Sequence, residues 1–176
     1  GEDDSCADDY GHGTHVAGII VNNTLSNVKI KPYKVLNNKG KGTLSSIVIA
    51  VDVAVQEGAD IFNMSFTADG ESQAMTEAID NAVAKGLNVV VAAGNNGDDL
   101  TKHKYTPACV ESAVTVSAIN DSYTLSSYSN YNGPVDIAAP GDDIESAYLN
   151  NTYVKLSGTS MAAPQVTAGI AFVRSF

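Results

Sequence analysis

The chain is poor in cysteine, poor in positive charge and free of long apolar runs. Its two cysteines, Cys6 and Cys109, are too few for a disulfide scaffold, and no Cys-x-x-Cys or Cys/His spacing points to zinc. Two free thiols are expected. Ten Lys and Arg stand against twenty Asp and Glu, a formal net charge of −10, which argues against nonspecific nucleic-acid binding and against acidic membranes. No stretch approaches the roughly 18 apolar residues of a membrane helix, and the acidic start is unlike the basic-then-apolar opening of a signal peptide. Any targeting segment is expected outside the chain. No strand-like run is followed by Gly-x-Gly-x-x-Gly or a Walker loop, so nucleotide binding has no motif behind it. Repeats, linkers and low-complexity tracts are also missing.

What is present is a globular composition: 176 residues, 44% apolar and 17% charged, enough for one domain with a sizeable core. From Thr43 to Gly58, Leu44, Ile47, Val48, Val51, Ala54 and Val55 share one helical face, with Thr43 as N-cap and Gly58 as stop. A second helix is predicted from Glu71 to Gly86, where Met75, Ala78, Ile79, Ala82 and Val83 repeat at three and four. The runs Val28 to Leu36, Ala59 to Phe66, Leu87 to Ala93, Ala113 to Ile119 and Val135 to Ala138 predict strands. Several do not alternate, as expected where both sheet faces are covered. This order predicts an α/β fold, a mainly parallel sheet flanked by helices with right-handed crossovers. Asn37-Asn38, Asn96-Gly97 and Asn132-Gly133 mark loops, and Asn150-Asn151 is expected to join a hairpin of Ile144 to Leu149 with Thr152 to Leu156. Ligands of such sheets bind beyond the carboxyl ends of the strands, so the loops after Phe66 and Ala93 are expected to face the working site.

Three segments place a reactive or polar side chain among small residues: Gly11-His12-Gly13-Thr14-His15-Val16-Ala17-Gly18, Ala92-Ala93-Gly94-Asn95-Asn96-Gly97 and Ser157-Gly158-Thr159-Ser160-Met161-Ala162-Ala163-Pro164. An alanine-rich helix is predicted from Ser160 to Phe176. A serine there is most simply an N-cap, yet free backbone N–H groups and the positive helix end also suit a developing oxyanion. Gly-x-Ser-x-Gly is absent, with Ala162 in place of its last glycine, and His12 precedes Ser160, which excludes the α/β-hydrolase order. His15, three residues after His12, has no third partner at helical spacing for a metal, and His103 sits in a polar loop.

Taken together, and in this order, the three segments resemble the subtilisin-like serine proteases, the subtilases, and Tyr105 to Pro164 looks similar to the proteinase K branch. The resemblance covers essentially all of the chain. It implies a three-layer fold, His12 as general base, Ser160 as nucleophile, the Asn95 side chain as oxyanion donor beside the Ser160 N–H, and a structural His15. It places a polypeptide substrate as an added strand between an extended edge, Lys39-Gly40-Lys41-Gly42-Thr43-Leu44, and Met64-Ser65-Phe66-Thr67-Ala68, with Ala93, Gly94 and Thr159 also facing it. Thr67 and Ala68 stand where relatives commonly have two glycines, which predicts a narrowed first pocket and small or medium apolar side chains in it. A structural calcium is expected at Asp136 with the Glu111 and Ala113 carbonyls. No catalytic cofactor is implied, nor are nucleic-acid or membrane partners. Family habit implies secretion.

The family's order is Asp, His, Ser, with the aspartate ending an upstream strand in an Asp-Ser/Thr-Gly turn; only eleven residues precede His12 here and none makes that motif. The acidic group Glu2, Asp3, Asp4, Asp8 and Asp9 lacks EF-hand spacing and is expected to be a solvated loop. The resemblance therefore implies a catalytic domain truncated at both ends, lacking the aspartate strand and the C-terminal helices, with a pro-segment or an N-terminal segment as partner. In subtilisin, loss of that aspartate costs about 3 × 10⁴ in kcat, so the chain alone is expected to be nearly inactive. Gln165 and Thr167, where relatives often have histidine and alanine, are expected to be tolerated. The alternative is a subtilase-like binding or regulatory domain without catalysis.

Overall fold

In the segment Asn88–Ala92, consecutive valines point to opposite sides of the sheet, and both sides are dry. Val89 and Val91 pack with Ile47, Val51, Met75 and Ile79, whereas Val90 and Ala92 pack with Ala162 and Ala163. A strand buried on both faces carries no polar alternation, which is why this one reads as a plain apolar run.

The computed structural model describes residues 6–176; Glu2, Asp3 and Asp4 of the acidic group lie outside the described residues. In chain order the elements are α1 (His12–Asn22), α2 (Leu44–Gln56), β1 (Ile61–Met64), β2 (Ala68–Asp69), α3 (Gln73–Ala84), β3 (Asn88–Ala92), β4 (Tyr105–Thr106), β5 (Val114–Ile119), β6 (Val135–Pro140), β7 (Ile144–Tyr148), a 3-10 turn (Leu149–Asn151), β8 (Thr152–Leu156) and α4 (Thr159–Arg174). The main sheet is parallel throughout, in the order β1-β3-β5-β6. Helices α2 and α3 cover one face and α4 the other, with α1 and the β7–β8 hairpin packed outside α4 through Val16, Ile19, Met161, Ile144 and Leu156. This is the expected three-layer α/β architecture.

The predicted caps fall close to their places. The Thr43 side chain accepts the Ser46 N–H at 3.2 Å, and Ser72, one residue beyond the predicted start, accepts the Met75 N–H at 3.3 Å. Two expectations fail. Val28 to Leu36 forms no strand, because no described segment offers it a ladder partner; instead residues 28–35 face β1 across a groove of about 860 Å³. That leaves β1, paired with β3 alone, as an open parallel edge. The edge from Lys39 to Leu44 is also not extended throughout. Asn37 Oδ1 accepts the Lys39 and Lys41 N–H groups at 3.0 and 3.1 Å, which folds residues 37–41 into a turn, and Leu44 already belongs to α2.

Candidate active site

Ser160 is the second residue of α4, directly beyond the carboxyl ends of β1 and β3. At such a helix start the backbone N–H groups have no partner one turn back, and the Ser160 N–H is free among the described residues. Four residues later comes Pro164, inside the helix. Proline has no N–H to donate to the carbonyl of residue i−4, here Ser160. That carbonyl instead accepts the Ser65 hydroxyl at 3.0 Å, while the Ser160 hydroxyl donates to the Ser65 carbonyl at the same distance. The Ser-Met-Ala-Ala-Pro spacing thus ties the Ser160 turn to the end of β1. Asn63 continues the link, donating to Ser65 Oγ at 3.0 Å and accepting the Thr167 hydroxyl at 2.8 Å. Thr167 is therefore a bonded residue rather than a merely tolerated one.

Asn95 is held by Thr159. Its Oδ1 accepts the Thr159 N–H at 2.8 Å and the Thr159 hydroxyl at 2.9 Å, and the same hydroxyl accepts the Gly94 N–H at 3.1 Å. A backbone N–H can only donate, so the amide's orientation is settled and, among the described residues, Nδ2 remains as its free donor. A Cβ at Gly158 would lie 3.3 Å from Asn95 Nδ2 and 3.7 Å from the Ser160 nitrogen. Glycine therefore leaves room beside the two N–H donors.

The loop that carries Asn95 is organised by Asn130, which sequence reasoning missed. Fully buried, Asn130 donates to the Ala93 carbonyl at 2.9 Å and accepts the Asn96 and Asp98 N–H groups, both at 3.0 Å. Nothing in the stretch Ser126 to Gly133 marks one asparagine out of its polar neighbours; the signal is made by contacts more than 30 residues away.

His12 opens α1, and its ring has no hydrogen-bond partner among the described residues. Burial lowers its pKa below the usual 6.5, His15 adds to the lowering, and the Asp8 carboxylate opposes it. The ring is thus neutral, the form of a general base, at neutral pH. His15 is fully buried and its Nε2 meets the Val154 carbonyl at 3.1 Å. It serves packing between α1 and β8. His103 is exposed, and Cys6 and Cys109 are free thiols.

Of the expected substrate-facing residues, Met64 and Ser65 are buried at the end of β1, Phe66 and Thr67 are half-buried, and Ala68 is exposed in a two-stranded ribbon with β4. Thr67 Oγ1 lies 3.4 Å from where a Gly94 Cβ would be, so Thr67 and Gly94 face each other. Ala93 is buried beneath them. Gly40 packs against the Tyr10 ring and Gly42 is tight against the Val35 carbonyl, with Lys41 exposed between them. Asp136 Oδ2 accepts the Thr115 N–H at 2.8 Å and leaves Oδ1 free among the described residues; Glu111 and Ala113 lie in the turn before β5. No group of three or more His, Cys, Asp or Glu able to hold a metal occurs among the described residues, and no described helix is long and apolar enough to cross a membrane.

Comparison with known proteins gives this geometry its setting. A family model described as the subtilase family matches residues 1–176. The chain is 39% identical over 177 residues to Subtilisin DY of Bacillus licheniformis, covering 96% of this chain and 65% of that protein. It is 36% identical over 187 residues to the Major intracellular serine protease of Bacillus subtilis (strain 168), covering all of this chain and 59% of the relative. Among solved structures, a cold adapted subtilisin-like serine proteinase superposes with a TM-score of 0.88 at 38% identity, over 98% of this chain and 63% of the other. The chain thus spans less than two thirds of the length of each of these relatives, and within that span it belongs to the subtilase family.

Proposed function

We propose that this chain is the core of a serine endopeptidase that hydrolyses peptide bonds through an acyl-enzyme on Ser160. The observation that carries the reading is the pair of free N–H donors, Ser160 backbone and Asn95 side chain, kept apart by Gly158. His12 takes the Ser160 hydroxyl proton as Oγ bonds the scissile carbonyl carbon, and returns it to the leaving amine. The charge that appears on the carbonyl oxygen falls between the two donors. Before this, the Ser160 hydroxyl has to leave the Ser65 carbonyl and turn to His12.

Three parts of the proposal go beyond these residues. The carboxylate that orients His12 is expected on an extended segment lying in the groove between residues 28–35 and the open edge of β1; an opening lined by His12, Val35 and Asn63 reaches the base from there. Until that segment is seated, turnover stays low. Thr67 opposite Gly94 narrows the first pocket toward small or medium apolar side chains. Asp136 Oδ1 with the Glu111 and Ala113 carbonyls offers oxygen donors suited to a structural calcium, with water completing the six to eight ligands calcium takes. Calcium is then expected to raise the melting temperature of the parent and not of Asp136→Asn; equal effects would remove this site. One matched relative is named as intracellular, so the secretion implied by resemblance does not follow from the family.

The test is acylation by activated peptide esters followed by mass spectrometry. One acyl group is expected on Ser160, fastest with Ala, Val or Leu before the ester and absent in Ser160→Ala. Acylation elsewhere, or best with large aromatics, would overturn the site or the pocket assignment respectively.

A further inference from the structure

Helix α1 begins at a glycine that cannot cap it. Gly11 has φ +97°, a region that disfavours other residues, and a Cβ there would lie 2.3 Å from the Tyr148 ring. The position therefore has no side chain to accept the first helical N–H groups. Asp8, three residues earlier, takes over. Its Oδ1 accepts the Tyr10 and Gly11 N–H groups at 2.9 and 2.8 Å, and its Oδ2 accepts the Thr14 N–H at 2.8 Å and the Thr14 hydroxyl at 2.7 Å. All four are charge-assisted bonds to one carboxylate at the positive end of a helix. His12 stands between Gly11 and Thr14, the two residues gripped from both sides.

The neighbouring acid has a different occupation. Asp9 pairs with Lys34 at 3.0 Å, and the same ammonium donates to the Ala7 carbonyl at 2.8 Å. No cation pairs with Asp8 among the described residues, so its charge is spent on the helix end and on the ring of His12. The other titratable groups along this side of the ring are Cys6, Tyr10, Tyr33 and Lys34, and His15 lies on the same helix.

We propose that Asp8 is a positioning residue for the general base: it locks the Gly11–Thr14 turn so that His12 is presented to the cleft, and its charge favours the imidazolium formed when Ser160 is deprotonated. This rests on the serine-peptidase reading of His12 and Ser160. Asp8 differs from the orienting acid expected in the groove, because its oxygens hold backbone and hydroxyl donors and make no bond to the imidazole. Burial works to raise the carboxyl's pKa, but the hydrogen bonds from Gly11, Thr14 and Tyr10 bring it down to about 2. The carboxylate is thus charged wherever the peptidase works.

The test is an NMR titration of the two histidines of α1 in the full chain, with His12→Ala for assignment. Asp8→Asn is expected to lower the His12 pKa by about half a unit and to slow fluorophosphonate modification of Ser160 roughly tenfold. Where Asp8→Asn does not fold, Thr14→Val, which removes one donor but leaves the carboxylate charged, is expected to slow Ser160 modification without lowering the His12 pKa, and Thr14→Ser to react at the parent rate; a parent rate in Thr14→Val overturns the positioning role. A His12 titration unchanged in folded Asp8→Asn overturns the proposal. The two readings fail separately: silence of Ser160 in the parent chain counts against the peptidase, while the histidine titrations still decide the role of Asp8.

Discussion

Asn95 uses the two ends of one amide differently, holding Thr159 with its oxygen and leaving its nitrogen to donate. Asn95→Asp keeps the acceptor and removes the donor. It is expected to slow Ser160 modification about 10²–10³-fold, the loss known for the corresponding donor in subtilisin, while unfolding free energy changes by no more than about 1 kcal/mol. Modification at the parent rate would mean that Asn95 is only a structural link. At this scale His12, Asn95 and Ser160 stood out as candidates because each lies in a run of small residues that leaves a polar side chain open. Asn130 and Asp8 were not legible in their roles. Asn130 is an ordinary asparagine until the chain brings Ala93, Asn96 and Asp98 to it. Asp8 reads as part of an acidic run until α1 forms behind a glycine that cannot cap it.

Helix α4 carries a proline where helices normally suffer from one. An interior proline costs about 3 kcal/mol or more, through a lost bond and a clash with the carbonyl of residue i−4. Here that carbonyl belongs to Ser160 and already accepts the Ser65 hydroxyl. Pro164→Ala is accordingly expected to gain less than about 1 kcal/mol in chemical denaturation, because the new N–H competes for an acceptor already satisfied. A gain near 3 kcal/mol would show that the Ser65 bond does not compensate. Helices α2 and α3 and strands β1, β3, β5 and β6 could be read from periodicity and from apolar runs, since their signal is burial. Val28 to Leu36 also carries apolar residues, set between three lysines and a proline, and is no strand, because a strand is defined by its neighbour and the run itself does not contain one. The short β2–β4 ribbon escaped for the opposite reason: two residues on each side are too few for any period to register.

Among the described residues the main sheet is parallel and covered on both faces, with edges at β1 and β6, and the β1 edge lies on the side from which His12 is reached. A net charge of −10 keeps such a surface dispersed but does not fill it. The central claim is that sheet and helices alone bring an activatable serine, a neutral base and an oxyanion hole to one place, with the groove segment adding rate. Its most direct measurement is the rate of fluorophosphonate modification of Ser160 across pH, with Ser160→Ala and His12→Ala as controls. Slow but Ser160-specific modification is predicted, rising with pH as His12 loses its proton and levelling off from a midpoint below 6.5, since burial lowers the His12 pKa. No modification of Ser160 above that of the unfolded chain, or a rate indifferent to His12, would contradict the account.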